Sequence, residues 1–199
     1  MPKMGLMNNV SSFTSASAGV SRSSGVSSDS YSMNTDGTTD YLQLTSNFSS
    51  TLVYNADWSI SAWVRTEISA NRYVFSSGDS GNRFGYKIGA DIAQVEFDGT
   101  VVSFGSGIGT TANNWHHIAL VYDDSENDLL FYTDGSLEGT GTFILSSSKS
   151  ISGANARIGT ASNSAGLNEF QGNIGSVAIF NAALSASEVS DLASGSGYD

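Results

Sequence analysis

The sequence predicts an all-β protein: a two-sheet antiparallel sandwich with one short C-terminal helix. Three observations predict it. From Tyr41 onward the apolar residues recur with period 2, the repeat of a strand with one buried face. Two Asp-Gly dipeptides, 98–99 and 134–135, each lie between strand-like runs, the strongest short-range hairpin signal. The 199 residues hold 22 glycines and one proline, as expected of many short strands joined by tight turns rather than of long helices.

The chain opens on a segment of different composition. Eleven of its first 32 residues are serine and the apolar residues show no period, so residues 1–35 read as an arm that cannot bury enough surface to order itself. Met1, Met4, Leu6, Met7, Val10 and Phe13 nevertheless cluster in the first 13 residues. Flexible methionine-rich groups suit an adaptable contact surface, and left in water they invite aggregation. Met4, Leu6, Met7, Val10 and Phe13 are therefore expected to bury against another protein chain, a copy of this one or a different partner. The opening decapeptide shows no apolar core of a classical signal peptide.

In "WSISAWVR" (58–65), Trp58, Ile60, Ala62 and Val64 share one face, and Ser59, Ser61, Trp63 and Arg65 the other. "AQVEFDGTVVSF" (93–104) and "LLFYTDGSLEGT" (129–140) read as hairpins whose Asp-Gly pairs accept the positive φ of a type I′ turn. "NNWHHIALVYDD" (113–124) places Trp115, His117, Ala119 and Val121 on one face and His116, Ile118, Leu120 and Tyr122 on the other. The two histidines then point apart, which excludes a shared metal ion or an acid–base pair from that strand and favours structural roles. "LSASEV" (184–189) carries a capping box, Ser185 with Glu188, inside a hydrophobic staple of Leu184 and Val189. A helix of two or three turns is expected there, ending near Gly195.

Six motifs in order, "DGTTDYLQL" (36–44), "DWSISAWVR" (57–65), "NNWHHIALVYDD" (113–124), "LLFYTDGSL" (129–137), "ARIGT" (156–160) and "FQGNIGSVAIFNAALSASEV" (170–189), carry a resemblance. Together they resemble a laminin-G-like domain of the concanavalin A-like lectin/glucanase superfamily, over about residues 32–195. The resemblance implies a concanavalin A-like jelly roll over residues 36–199, with the W-H-H strand and the following D-G hairpin in structural roles. It leaves function open, since one fold hosts lectins, glycosidases, adhesins and virion proteins.

The charge balance narrows function from another side. Eight Lys+Arg stand against 19 Asp+Glu, a net charge of −11, with no basic run to neutralise phosphates. Nucleic acid and anionic membrane are not expected partners, and no apolar run approaches the ~18 residues that span a bilayer. With no cysteine there is no disulfide framework or zinc–thiolate site.

Four local candidates follow. Glu96 and Asp98 share a strand face, as two cooperating carboxylates require, but the third acid of the glucanase pattern falls at Val101, so catalysis is not expected. Asp123, Asp124, Glu126 and Asp128 form an oxygen-rich turn that reads as a solvated acidic turn with no cofactor expected; calcium is the alternative, although the spacing is not an EF-hand. The acidic pair that members of the resembled family carry after G-x-I is replaced here by Gly175 and Ser176. Trp63, Tyr73 and Tyr86, with Phe84 and Trp115 behind them, are the aromatic candidates for stacking a sugar ring. Taken together these features lead to the expectation of a non-catalytic structural or decoration component on the exterior of a bacteriophage particle, anchored by its arm. The alternative is a carbohydrate-binding module acting outside the cell or on its surface.

Overall fold

The structure, a computed structural model, describes residues 14–16, 19–22, 31–44, 56–78, 83–97, 99–105, 110–142, 156–162 and 168–195. These form two seven-stranded antiparallel sheets and one helix, a jelly-roll sandwich. Across the first sheet the order is β1 (Thr14–Ala16), β4 (Tyr41–Gln43), β13 (Arg157–Ile158), β6 (Arg72–Ser77), β7 (Phe84–Gly89), β8 (Ile92–Phe97) and β9 (Thr100–Phe104). Across the second it is β12 (Ser136–Thr142), β11 (Asp128–Thr133), β10 (His116–Asp123), β5 (Trp58–Thr66), β14 (Gln171–Phe180), β3 (Tyr31–Asp36) and β2 (Gly19–Arg22).

Strand alternation sets the core. Trp58, Ile60, Ala62 and Val64 of β5 face inward as the period of 2 requires, with Ile118, Leu120 and Tyr122 beside them. Phe84, Tyr86 and Ile88 of β7 and Val95 and Phe97 of β8 meet them from the first sheet. Trp58 is the hub: it stacks on Tyr122 at 5.4 Å and takes the edge of Phe84 at 5.7 Å. On the far side of the sandwich β9 and β12 come together, because Gly139 and Gly141 leave room for Phe104 and Val102.

A second, smaller core lies on the outside of the second sheet. Helix α1 (Ala186–Ala193) starts at the predicted capping box: Ser185 Oγ accepts from Glu188 N, and Glu188 Oε2 accepts from Ser185 N. Its buried Val189 and Leu192, with Leu184, pack on Ala119, Val121, Tyr132 and Phe180. An eight-residue helix is too short to persist alone, so this apolar contact holds it. The chain leaves it through Gly195 at φ 82°, near the predicted stop. Both predicted hairpins form, Phe97 pairing with Thr100 and Thr133 with Ser136. Asp134 and Gly135 take φ 50° and 82°, the signs a type I′ turn demands.

Strands also lie within the segment expected to be an arm, residues 1–35. β3 pairs with β14 inside the second sheet, and β1 and β2 pair with β4 and β3, so the sandwich starts well before residue 36. The assembly contacts expected of Met4, Leu6, Met7, Val10 and Phe13 lie outside the described residues.

Candidate functional site

The two sheets differ in what their outer faces carry. On the second, α1 and its apolar partners cover the middle. The first keeps a polar face with a defined row of side chains. Register places Gln43 opposite Arg157, Arg157 opposite Ser76, Ser76 opposite Gly85, Gly85 opposite Glu96, and Glu96 opposite Val101. Their chain neighbours Leu42, Ile158, Phe75, Phe84 and Phe97 point into the core, so these six positions point out.

At one end of the row, Glu96 is a buried carboxylate surrounded by donors. Lys87 Nζ lies 2.7 Å from Oε2, the Tyr73 hydroxyl donates to the same oxygen at 3.1 Å, and Arg83 binds Oε1. Burial alone would raise the Glu96 carboxyl, but the hydrogen bonds from Lys87 and Arg83 outweigh it and hold Glu96 below its ordinary value. Tyr73 lies across Gly85, where a Cβ would sit 2.5 Å from its ring, and Lys87 Nζ stands 4.7 Å from the ring centroid. Arg83 and Lys87 retain more exposure than Glu96, 25% and 13% of the side chain against 8%, so the cluster turns its positive groups outward.

At the other end, Arg157 Nε donates to Gln43 Oε1 at 2.8 Å and Nη1 to the carbonyl of Ala161 at 3.0 Å. Its guanidinium stacks on Tyr41, 4.9 Å from the ring centroid. Ser76, between the two ends, donates to the Thr160 carbonyl.

The aromatic candidates separate. Tyr73 is on this face but 2% exposed and committed to Glu96. Tyr86 is corrected: it points into the core with no exposure, burial pushes its phenol well up, and it cannot reach a sugar. Phe84 is equally buried. Trp63 lies half-buried on the other sheet, edge-on to His117 at 5.5 Å, so it forms no common platform with Tyr73. Trp115 is half-buried ahead of β10. The aromatic that does support the polar row, Tyr41, escaped sequence reasoning, as did Arg157, Gln43 and Lys87. The available signal was the YLQ run, whose parity puts Tyr41 and Gln43 on one face.

The acidic turn does not gather into a cation site. Asp123 caps the turn, accepting from Ser125 N, Ser125 Oγ and Glu126 N, while Asp124 accepts from the Tyr122 hydroxyl. Asp128 pairs across the hairpin and accepts from Thr142. The calcium set Asp123, Asp124, Glu126 and Asp128 is thereby corrected: among the described residues no three or more His, Cys, Asp or Glu could hold a metal ion.

The histidines do point to opposite sides, but both engage a carboxylate that the sequence reading did not assign them. Asp134 Oδ2 lies 2.8 Å from His116 Nδ1, and Oδ1 accepts from His117 N at 2.8 Å. Burial would raise Asp134; the hydrogen bonds from His116 and His117 N–H outweigh it, and the carboxyl lies below its ordinary value. His116 Nε2 faces both the amide and the hydroxyl of Thr111, at 3.1 and 3.0 Å. An acid–base residue must keep that nitrogen for substrate, so this His–Asp pair is a brace between a loop and a turn. His117 is fully buried beside Ser61 Oγ, 2.8 Å from Nε2, closed to any substrate.

A family model described as the concanavalin A-like lectin/glucanases superfamily matches residues 36–190 of this chain. The chain belongs to this laminin-G-type family. Solved structures with the same sandwich include domain 4 of AbnA, a GH43 extracellular arabinanase from Geobacillus stearothermophilus, in complex with arabinotriose. It gives a TM-score of 0.65 at 18% identity, covering 89% of this chain and 81% of that one. The CBM40 of the Ruminococcus gnavus IT-sialidase, bound to α2,3 sialyllactose, gives 0.60 at 16% identity, covering 81% and 95%. The native heptameric SAP-like pentraxin from Limulus polyphemus gives 0.62 at 14% identity, covering 80% and 78%. At these identities the likeness is one of fold. No curated protein matches the laminin-G-type chain in sequence. None of these comparisons supports the expectation of a bacteriophage particle.

Proposed function

We propose that this laminin-G-type domain is a non-catalytic glycan-binding module, acting outside the cell or at its surface through the outer face of the first sheet. The observation that carries the reading is the row Gln43–Arg157–Ser76–Gly85–Glu96. It sets hydrogen-bonding and planar groups side by side on a rigid sheet, while the opposite sheet is closed by α1. Sugars present hydroxyls and flat apolar patches, and such a face offers both amide and guanidinium partners and aromatic surface. Similar sandwiches solved with arabinotriose and with α2,3 sialyllactose support the same reading.

The non-catalytic part rests on Glu96. A glycosidase needs one carboxyl that keeps its proton to protonate the leaving group. Glu96 is bound by Arg83, Lys87 and Tyr73, and is held ionised rather than protonated. Among the described residues no helix is long and apolar enough to cross a membrane.

A glycan array probed with the full chain, followed by titration calorimetry on the glycans retained, tests the reading. Binding at millimolar or lower concentration is expected, weakened by Gln43→Ala and kept by Trp63→Phe on the other sheet. A chain that retains nothing across the array at millimolar glycan overturns it, as does binding abolished by Trp63→Phe and untouched by Gln43→Ala.

A further inference from the structure

We propose that this face selects acidic glycans, and that Arg157 is the residue that receives the sugar carboxylate. The inference rests on the glycan-binding reading and narrows it to a ligand class.

Carboxylates outnumber cations 19 to 8 in this chain, so a cation without one is the exception to explain. Among the described residues Arg65 pairs with Glu67, and Arg83 and Lys87 share Glu96. No ion pair among the described residues includes Arg157. Its described partners are neutral: the Gln43 amide oxygen, the Ala161 carbonyl and the face of Tyr41. Arg72 also has no ion pair among the described residues, but its hydrogen bond there is to the carbonyl of adjacent Asn71, which fixes little.

Arg157 is held from three sides, and this matters for binding. A guanidinium carries five N–H donors in a rigid fork, and two are engaged here. Neutral acceptors and an aromatic face orient the group without cancelling its charge. A side chain already fixed loses little freedom when an anion arrives, so more of the charge-assisted contact shows as affinity. A purely structural arginine in so acidic a chain would be expected to find a carboxylate.

The rest of the row points the same way. Its described outward side chains include three cations, Arg83, Lys87 and Arg157, against one carboxylate, Glu96, the most buried of the cluster. Arg157 lies two strands from Gly85, about 10 Å at ordinary strand spacing; Ser76 between them is buried, so Lys87 and Arg83 favour an anion at Arg157 through their charge and not by contact. A face built for neutral sugars has no need of a local excess of positive charge in a protein of net charge −11.

The experiment titrates the full chain with α2,3-sialyllactose against lactose, and with digalacturonate against galactobiose. Each acidic sugar is expected to bind at least about tenfold more tightly than its neutral counterpart, with the difference shrinking as salt is raised. Arg157→Gln should weaken the acidic sugar by about tenfold to a hundredfold, the usual reach of a charge-assisted hydrogen bond. It should leave weak neutral binding in place, and Arg157→Lys should recover part of the loss. Equal binding of acidic and neutral sugars overturns the inference while the glycan reading stands. So does an Arg157→Gln chain that keeps its acidic preference. If Arg157→Gln lowers the melting temperature sharply, the wild-type acid-to-neutral ratio and its salt dependence decide alone. Silence on every glycan, acidic and neutral, defeats the broader reading instead.

Discussion

His117 makes the stability of this domain depend on pH between neutrality and the acid range. Its ring has no exposed surface, and burial takes its pKa from 6.5 down to about 4, with Asp134 opposing only in part. The fold therefore accepts the neutral imidazole, and the unfolded chain binds the proton more tightly. Stability is complete above about pH 6.5 and is lost as pH falls towards 4. Each tenfold in proton affinity is worth about 1.4 kcal/mol, so the full loss is about 3 kcal/mol, with about 2 kcal/mol already gone at pH 5. Glu96 and Asp134 lie below their ordinary values, so what they contribute is lost only in the acid range below their ordinary titration, and comparison with a His117 variant separates the buried imidazole from every other group. Urea unfolding at pH 7, 6 and 5 measures the slope. In His117→Gln, whose amide can still reach Ser61, the curve should flatten over that range even if the whole protein is weaker. A variant as steep as the wild type would show that the buried imidazole is not the group that titrates.

Three further outcomes are expected from thermal or urea denaturation. Gly85→Ala places a Cβ 2.5 Å from the Tyr73 ring and should cost about 1–3 kcal/mol while weakening glycan binding, since Tyr73 holds Glu96. Gly172→Ala is more severe: at φ 133° its Cβ would sit 2.0 Å from the backbone oxygen of Arg65, and a loss above about 3 kcal/mol, or no folded protein, is expected. Ser185→Ala removes the cap that accepts Glu188 N and should cost about 1 kcal/mol, confined to α1 and seen as faster amide exchange in residues 186–193.

Local chemistry made the fold legible. The inward set of β5 follows from a period of 2, the turn at 134–135 from the positive φ that Asp and Gly tolerate, and α1 from a reciprocal cap between residues three apart. Tyr86 was misread because alternation alone does not say which face of a two-faced strand is the core. Its neighbours Gly85 and Lys87 on the other face carry little apolar bulk, and that asymmetry was the available clue. β3 went unread for a different reason: it brings Met33 to the core from a serine-rich stretch whose apolar residues show no period, so composition did not announce it.

The partners of the candidate site differ in how far the sequence could have carried them. Asp134 was within reach: once Asp123 and Asp128 close a hairpin, pairing continues in step to Ile118 and Thr133, and the next residue along, Asp134, falls beside His117. Register arithmetic on one hairpin would have found the brace. The row on the first sheet was not within reach, because β13, two residues long, enters between β4 and β6 from far along the chain. Gln43, Arg157 and Ser76 become neighbours only through that insertion, and no period or spacing announces it. A binding face assembled by long-range register escapes reading in sequence, while each residue's inward or outward sense does not. For Arg157 that sense was available from Ile158 beside it; what only the fold supplied was the amide, carbonyl and ring that hold its charge in place without cancelling it.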